Sequence, residues 1–209
     1  MKNILLVLSL VGLMIPAYTH AQINAPVATT GQTVETIICI RHGEKQPDGL
    51  GQLTCKGLNR ALALPNVLLA KYGTPQFIFA CNPTQKVHDH GGEYYYVRPL
   101  ATIEPTAIRC GLPVNTEFGY KEIKGLEEEL NQPQYQNATV FITWEHLMLD
   151  DFAKNMLRDN GENPQKVPSW QNSEYDLIFV FKVTRENGQK KISFAIDHEG
   201  LNGFSDACP

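Results

Sequence analysis

A basic excess, paired cysteine motifs and long internal apolar runs are all missing from this chain. Its 209 residues carry 18 Lys and Arg against 22 Asp and Glu, a formal charge of −4. A nucleic-acid binder ordinarily shows a clear positive balance, so none is expected as a partner. Nothing marks the chain for anionic membranes either. Five cysteines stand at positions 39, 55, 81, 110 and 208, and none forms a Cys-x-x-Cys pair. That excludes zinc-ribbon and thioredoxin-type motifs. Beyond the first segment no stretch is long and apolar enough to span a bilayer. Internal repeats and low-complexity tracts are absent as well.

The first segment itself is apolar. Lys2 gives a positive start, Ile4 to Ile15 follows, and Thr19-His20-Ala21 places small residues where a signal peptidase reads. This layout predicts a cleavable secretory signal over 1–21. The rest divides into a flexible lead-in over 22–34 and one domain over 35–209, large enough for a real core. An exported protein, periplasmic or secreted, is expected, with no stable membrane insertion after cleavage. Export permits disulfides. Cys39 sits in an apolar run and reads as a buried free thiol. The other four cysteines allow three pairings, of which Cys55–Cys208 with Cys81–Cys110 is favoured.

Apolar patterning divides the domain into alternating strands and helices. Thr36-Ile37-Ile38-Cys39-Ile40 has the continuous apolar character of a strand buried on both faces. Leu53 to Lys71 reads as a helix capped by Thr54 and broken or kinked at Pro65. Phe77 to Ala80 is a second buried strand. Residues 81–97 read as a long irregular loop, a length that often marks function. Pro99 suits the first turn of a helix running to Cys110, which Gly111 ends. Tyr120 to Leu130 is a shorter helix, Ala138 to Thr143 a third strand, and Leu147 to Arg158 a helix. Asp176 to Thr184 and Lys190 to Asp197 form a hairpin around Asn187-Gly188. The expected fold is α/β: a three-layer sandwich with a mostly parallel central sheet, flanking helices and a C-terminal β-hairpin.

In open α/β sheets, sites form beyond the carboxyl ends of the strands. Arg41-His42-Gly43-Glu44-Lys45 follows the first strand, Arg98 ends the loop after the second, and Trp144-Glu145-His146 follows the third. Two arginines and two histidines therefore reach one rim. Phosphoryl transfer needs such a set. Arginine forks donate paired hydrogen bonds to phosphate oxygens. A neutral imidazole attacks phosphorus, and a second histidine stabilises the charge of the transferring group. A carboxylic acid protonates the leaving oxygen and then activates water. Gly43 would let backbone approach the phosphate.

These residues resemble the histidine phosphatase superfamily, in its phosphoglycerate mutase-like branch. Arg41-His42-Gly43 is similar to the superfamily's hallmark. Leu53-Thr54-Cys55-Lys56-Gly57-Leu58-Asn59-Arg60-Ala61 resembles its next element. Arg98 stands four residues before Thr102, as its second arginine does, and Gly111-Leu112-Pro113-Val114 resembles the turn that follows. His146 matches the second catalytic histidine. The resemblance covers about residues 36 to 150 and implies a metal-independent phosphomonoesterase without a cofactor, acting through a phosphohistidine. Two departures stand out. Cys81-Asn82-Pro83 replaces a Ser-Pro, with some fifteen extra residues before Arg98, and Leu147 follows His146 where glycine or aspartate is usual.

The resemblance places the proton donor about two dozen residues after the second arginine, at Glu122. Glu145 is the second candidate, although strand alternation would turn it to the opposite face. Arg41, Arg98, Gly43 and Lys45 are the expected substrate contacts, and Glu44 and Lys45 are read as rim residues that pair with each other. His88-Asp89-His90 has two imidazoles and a carboxylate but no evident fourth ligand, so no metal is expected, and the segment is read as solvated loop or as part of the substrate rim. Tyr94 to Tyr96 line the pocket or pack the loop. Glu127 to Glu129 read as a solvated helix face. No large helical insertion covers the rim, so an open site is expected. The leading reading is an exported hydrolase of a small phosphorylated substrate, as a monomer or homodimer. A catalytically weak module that only binds a phosphate ligand is the alternative.

Overall fold

The computed structural model describes residues 31–209; the expected signal segment and residues 22–30 lie outside them. In chain order the elements are β1 (Thr33–Arg41), β2 (Lys45–Gln46), β3 (Gly49–Leu53), α1 (Cys55–Tyr72), β4 (Phe77–Ala80), β5 (Lys86–Asp89), β6 (Gly92–Tyr95), α2 (Arg98–Cys110), α3 (Ile123–Leu130), β7 (Thr139–Trp144), α4 (His146–Arg158), β8 (Leu177–Glu186) and β9 (Gln189–His198). Five of the strands form one sheet in the order β4-β7-β1-β8-β9. The β4, β7 and β1 strands run parallel, and the β8–β9 hairpin adds antiparallel to the free edge of β1. The sheet is thus mixed, with the parallel strands at the site.

Both faces of β1 are covered, as its unbroken apolar run requires. Ile38 and Ile40 pack with Leu64, Leu68 and Ile103 under α1 and α2. Ile37 and Cys39 pack with Leu126, Leu149 and Phe152 under α3 and α4. Among the described residues no helix is long and apolar enough to cross a membrane. Thr54 caps α1 by accepting from Gly57 N, and Pro65 is accommodated within that helix.

The segment over 81–97 is more ordered than its sequence suggests. Lys86–Asp89 pairs antiparallel with Gly92–Tyr95. Val87 and Asp89 face inward while Lys86 and His88 face solvent. A second small hairpin, β2–β3, packs beside it. At Gly49 (φ 80°) an added Cβ would lie 2.1 Å from Asp89 Cβ, so only glycine lets the two hairpins meet.

Cys55 and Cys208 are bonded, whereas Cys39, Cys81 and Cys110 are free. The favoured Cys81–Cys110 link does not form, for a geometric reason. Cys81 follows β4 at the strand ends, where the N-terminus of α2 also lies. Cys110 closes the far end of that 13-residue helix, roughly 18 Å away at the ordinary helical rise. A disulfide requires the Cα atoms to be within about 7 Å.

Candidate functional site

Strand register brings the first elements of the site together. Arg41 pairs with Trp144 across the parallel β1–β7 ladder, and His42 N donates to Trp144 O at 3.1 Å. His42 and Glu145 therefore leave neighbouring strands at the same level. The N-terminus of α2 supplies Arg98. Its Thr102 Oγ1 accepts from Gly43 N (2.9 Å) and donates to Arg98 O (2.8 Å), tying the loop after β1 to this helix.

A cleft of about 490 Å³ opens between these elements, and Arg41, His42, Lys45, Arg98, Glu145 and His146 all line it. Asp89, Tyr96, Tyr120, Lys121 and Asn172 line it as well. Glu122 does not. It is exposed, and its Oε2 accepts from Gly119 N at 2.7 Å. Gly43 also lies outside the lining. Its missing side chain makes room for α1, since a Cβ there would lie 2.9 Å from Gly57 O.

His42 is buried. Its Nδ1 lies 2.7 Å from Gly43 O. A carbonyl can only accept, so Nδ1 carries the proton and Nε2 presents a lone pair. Burial, and then the Arg98 and Arg41 charges, hold the imidazole well below its ordinary pKa. The ring is therefore neutral, with an unprotonated Nε2.

The arginines are anchored at one nitrogen each. Arg41 Nη1 donates to the carbonyls of Gln171, Asn172 and Glu174 at 3.3, 2.9 and 2.7 Å, and the Tyr175 ring stacks 3.9 Å from its guanidinium carbon. Arg98 Nη1 donates to Asp89 Oδ2 (2.6 Å) and Gly49 O (3.3 Å). Both Nε groups are buried without a partner, as is the Tyr96 hydroxyl. Burial, above all, keeps that phenol well above its ordinary pKa, so it stays a donor. Unmet donors are costly in a protein interior. Here they belong to residues around one cleft.

Strand alternation would point Glu145 away from the site, but β7 ends at Trp144 and the rule no longer applies. Glu145 caps α4, where its Oε2 accepts from Met148 N at 3.0 Å. Its Oε1 lies 2.6 Å from His146 Nδ1. The geometry there is not that of a hydrogen bond, so this is a close contact only. His146 Nε2 meets Asn172 Oδ1 at 2.8 Å. Burial raises the Glu145 carboxyl; the contact and charge of His146 and the amides of Met148 and Leu147 outweigh it and hold the carboxyl below its ordinary pKa.

Three residues went unread in the sequence: Asp89 as a partner of Arg98, Tyr96 as a donor, and Asn172. The alternation of Lys86 to Asp89 before Gly91-Gly92 was the available sign for Asp89. Asn172 carries no local sign. Glu44 does not pair with Lys45. It binds Arg60 at 2.8 Å, while Lys45 lies 3.6 Å from Asp89. His88 is exposed, 3.2 Å from Glu93. No group of three or more metal-binding side chains occurs among the described residues. Glu127 and Glu129 are less solvated than expected, accepting from Asn155 and Tyr135.

No protein-family model matches the chain, and no curated protein matches it by sequence. Solved structures do. A mycobacterial glucosyl-3-phosphoglycerate phosphatase bound to inorganic phosphate is similar at TM-score 0.52 and 13% identity, covering 78% of this chain and 95% of that one. A phosphoglycerate mutase from Bacillus anthracis gives 0.51 and 12%, covering 79% and 94%. One from Plasmodium falciparum gives 0.50 and 13%, covering 81% and 92%. The likeness to these phosphatase and mutase structures is one of fold, over about four-fifths of this chain.

Proposed function

We propose that the protein is an exported, metal-independent phosphomonoesterase working through a phosphohistidine at His42. The observation that carries this reading is a neutral, buried imidazole in one cleft with two buried guanidiniums, each anchored through Nη1. A phosphoryl group is the ligand that such a pair of arginines fits. His42 Nε2 attacks phosphorus, forming an N–P bond as the ester P–O bond breaks. Arg41, Arg98 and His146 hold the non-bridging oxygens. Glu145 protonates the leaving alcohol; the arriving dianion raises its carboxyl and fits it for that role. The same carboxylate then takes a proton from water, whose oxygen attacks phosphorus and frees His42 and inorganic phosphate. Export is supported by the apolar first segment and by the Cys55–Cys208 disulfide.

One observation favours the binding-module alternative: Asn172 occupies His146 Nε2, and three carbonyls occupy Arg41 Nη1. Hydrolysis of p-nitrophenyl phosphate in the presence of chelator separates the two. Turnover that His42→Ala abolishes supports the enzyme. Phosphate binding without turnover supports the module.

A further inference from the structure

We propose that this cleft selects phosphomonoesters of uncharged, apolar-faced alcohols and discriminates against esters that carry a second anionic group. This rests on the phosphatase reading above and concerns the part of the cleft that meets the leaving group.

The charges of the lining come first. Four cations (Arg41, Lys45, Arg98 and Lys121) face two carboxylates (Asp89 and Glu145). Of the four cations only Arg41 and Arg98 are buried, and both are assigned to the phosphoryl group in the reading above. No buried cation is left over for a second carboxylate or phosphate. Lys45 would be the natural partner for one, but it already faces Asp89 Oδ1 at 3.6 Å. Lys121 is exposed, and its ammonium lies 5.4 Å from the Tyr120 ring centroid. A solvated cation at a rim contributes little to affinity.

Asp89 is the discriminating group. Its side chain is only 5% exposed, and burial tends to raise its carboxyl. The hydrogen bond and charge of Arg98, the amide of Gly51 and the charge of Lys45 outweigh burial and keep it ionised. A fixed negative charge thus stands within 2.6 Å of the arginine that receives the phosphate. It repels any further anion that the substrate brings. Three apolar side chains also line the cleft. Val87 faces inward on the same strand as Asp89, and Leu147 and Met148 follow His146 in the sequence. Leu147 is 54% exposed, an apolar lip that a polyanionic leaving group would gain nothing by touching.

Three alkyl phosphates test this without large differences in leaving-group chemistry: benzyl phosphate, glycerol 3-phosphate and 3-phosphoglycerate. The expected order of kcat/KM is as written, with about 30-fold or more between the first and the last. Asp89→Asn keeps an acceptor for Arg98 but removes the charge. It is expected to narrow that ratio about tenfold, chiefly through a lower KM for 3-phosphoglycerate. Equal turnover of the three esters, or preference for 3-phosphoglycerate, overturns the inference and leaves the phosphatase reading standing. No turnover of any ester overturns the phosphatase reading and this inference with it.

Discussion

Arg60 and Arg98 are equally hidden, at 0% and 2% exposure, yet the protein completes one and leaves the other unfinished. Arg60 donates from Nε and Nη2 to Glu44, from Nη1 to Glu199 and from Nη2 to Asn202. Every nitrogen has a partner. This cluster ties the loop after His42 to α1 and to the C-terminal tail, which the Cys55–Cys208 disulfide also holds. Arg98, like Arg41, is anchored through Nη1 while its Nε has no protein partner. A buried guanidinium that the fold satisfies is a structural tie. One that lines a cleft and is anchored at a single nitrogen is read as a binding group.

Substitutions should separate the two kinds of arginine. Arg98→Lys keeps the charge but loses the fork, and is expected to lower kcat/KM on a phosphate ester by roughly 10²–10³, with thermal stability little changed. Among the glutamates, Glu145→Gln should lower kcat by about 10² or more on esters with poor leaving groups, and less on p-nitrophenyl phosphate. Glu122→Gln should leave both rates unaltered. A profile reversed between the two would move the proton donor to Glu122.

Arg60 should respond in stability. Arg60→Met removes the partner of three acidic side chains, Glu44, Glu199 and Asp176, and breaking a buried pair costs about 3–5 kcal/mol. A Tm loss on the order of 10 °C, read by calorimetry, is expected for a domain of this size. The same cluster makes stability pH-dependent. Burial pushes the Glu199 carboxyl up to about 8 against the opposing pull of Arg60. Because the folded state holds that proton more tightly than the unfolded chain does, its contribution is fully present below about 4.5 and declines as pH rises through 8. Glu199→Gln should flatten the dependence of Tm on pH over that range. A somewhat smaller loss than that at Arg60 is expected at the disulfide. Cys55→Ser should cost about 2–4 kcal/mol, with kcat/KM nearly unchanged.

Much of this was legible before folding. The apolar run of β1 and the residues at three strand ends point to His42, Arg98 and His146 because strand ends share a rim whatever the loops do. The hairpin over Lys86–Tyr95 was not, since four-residue strands give too short an alternation to distinguish from irregular loop. The pairing of Asp89 with Arg98 was lost with it, and Tyr96 was legible only as one of three tyrosines that line the pocket or pack the loop. Glu145 was judged by strand alternation, which fails one residue past Trp144, where the chain turns into α4. Asn172 reaches His146 across 26 residues of sequence, a contact that only tertiary structure sets.

The central claim is that His42 carries the phosphoryl group. Alkaline quench at low millisecond times with ³²P-labelled phosphate ester tests it most directly, followed by mapping of the label at high pH. A base-stable, acid-labile phosphohistidine at His42, absent in His42→Ala, is the predicted result. Turnover without that adduct, or label on another residue, would contradict it.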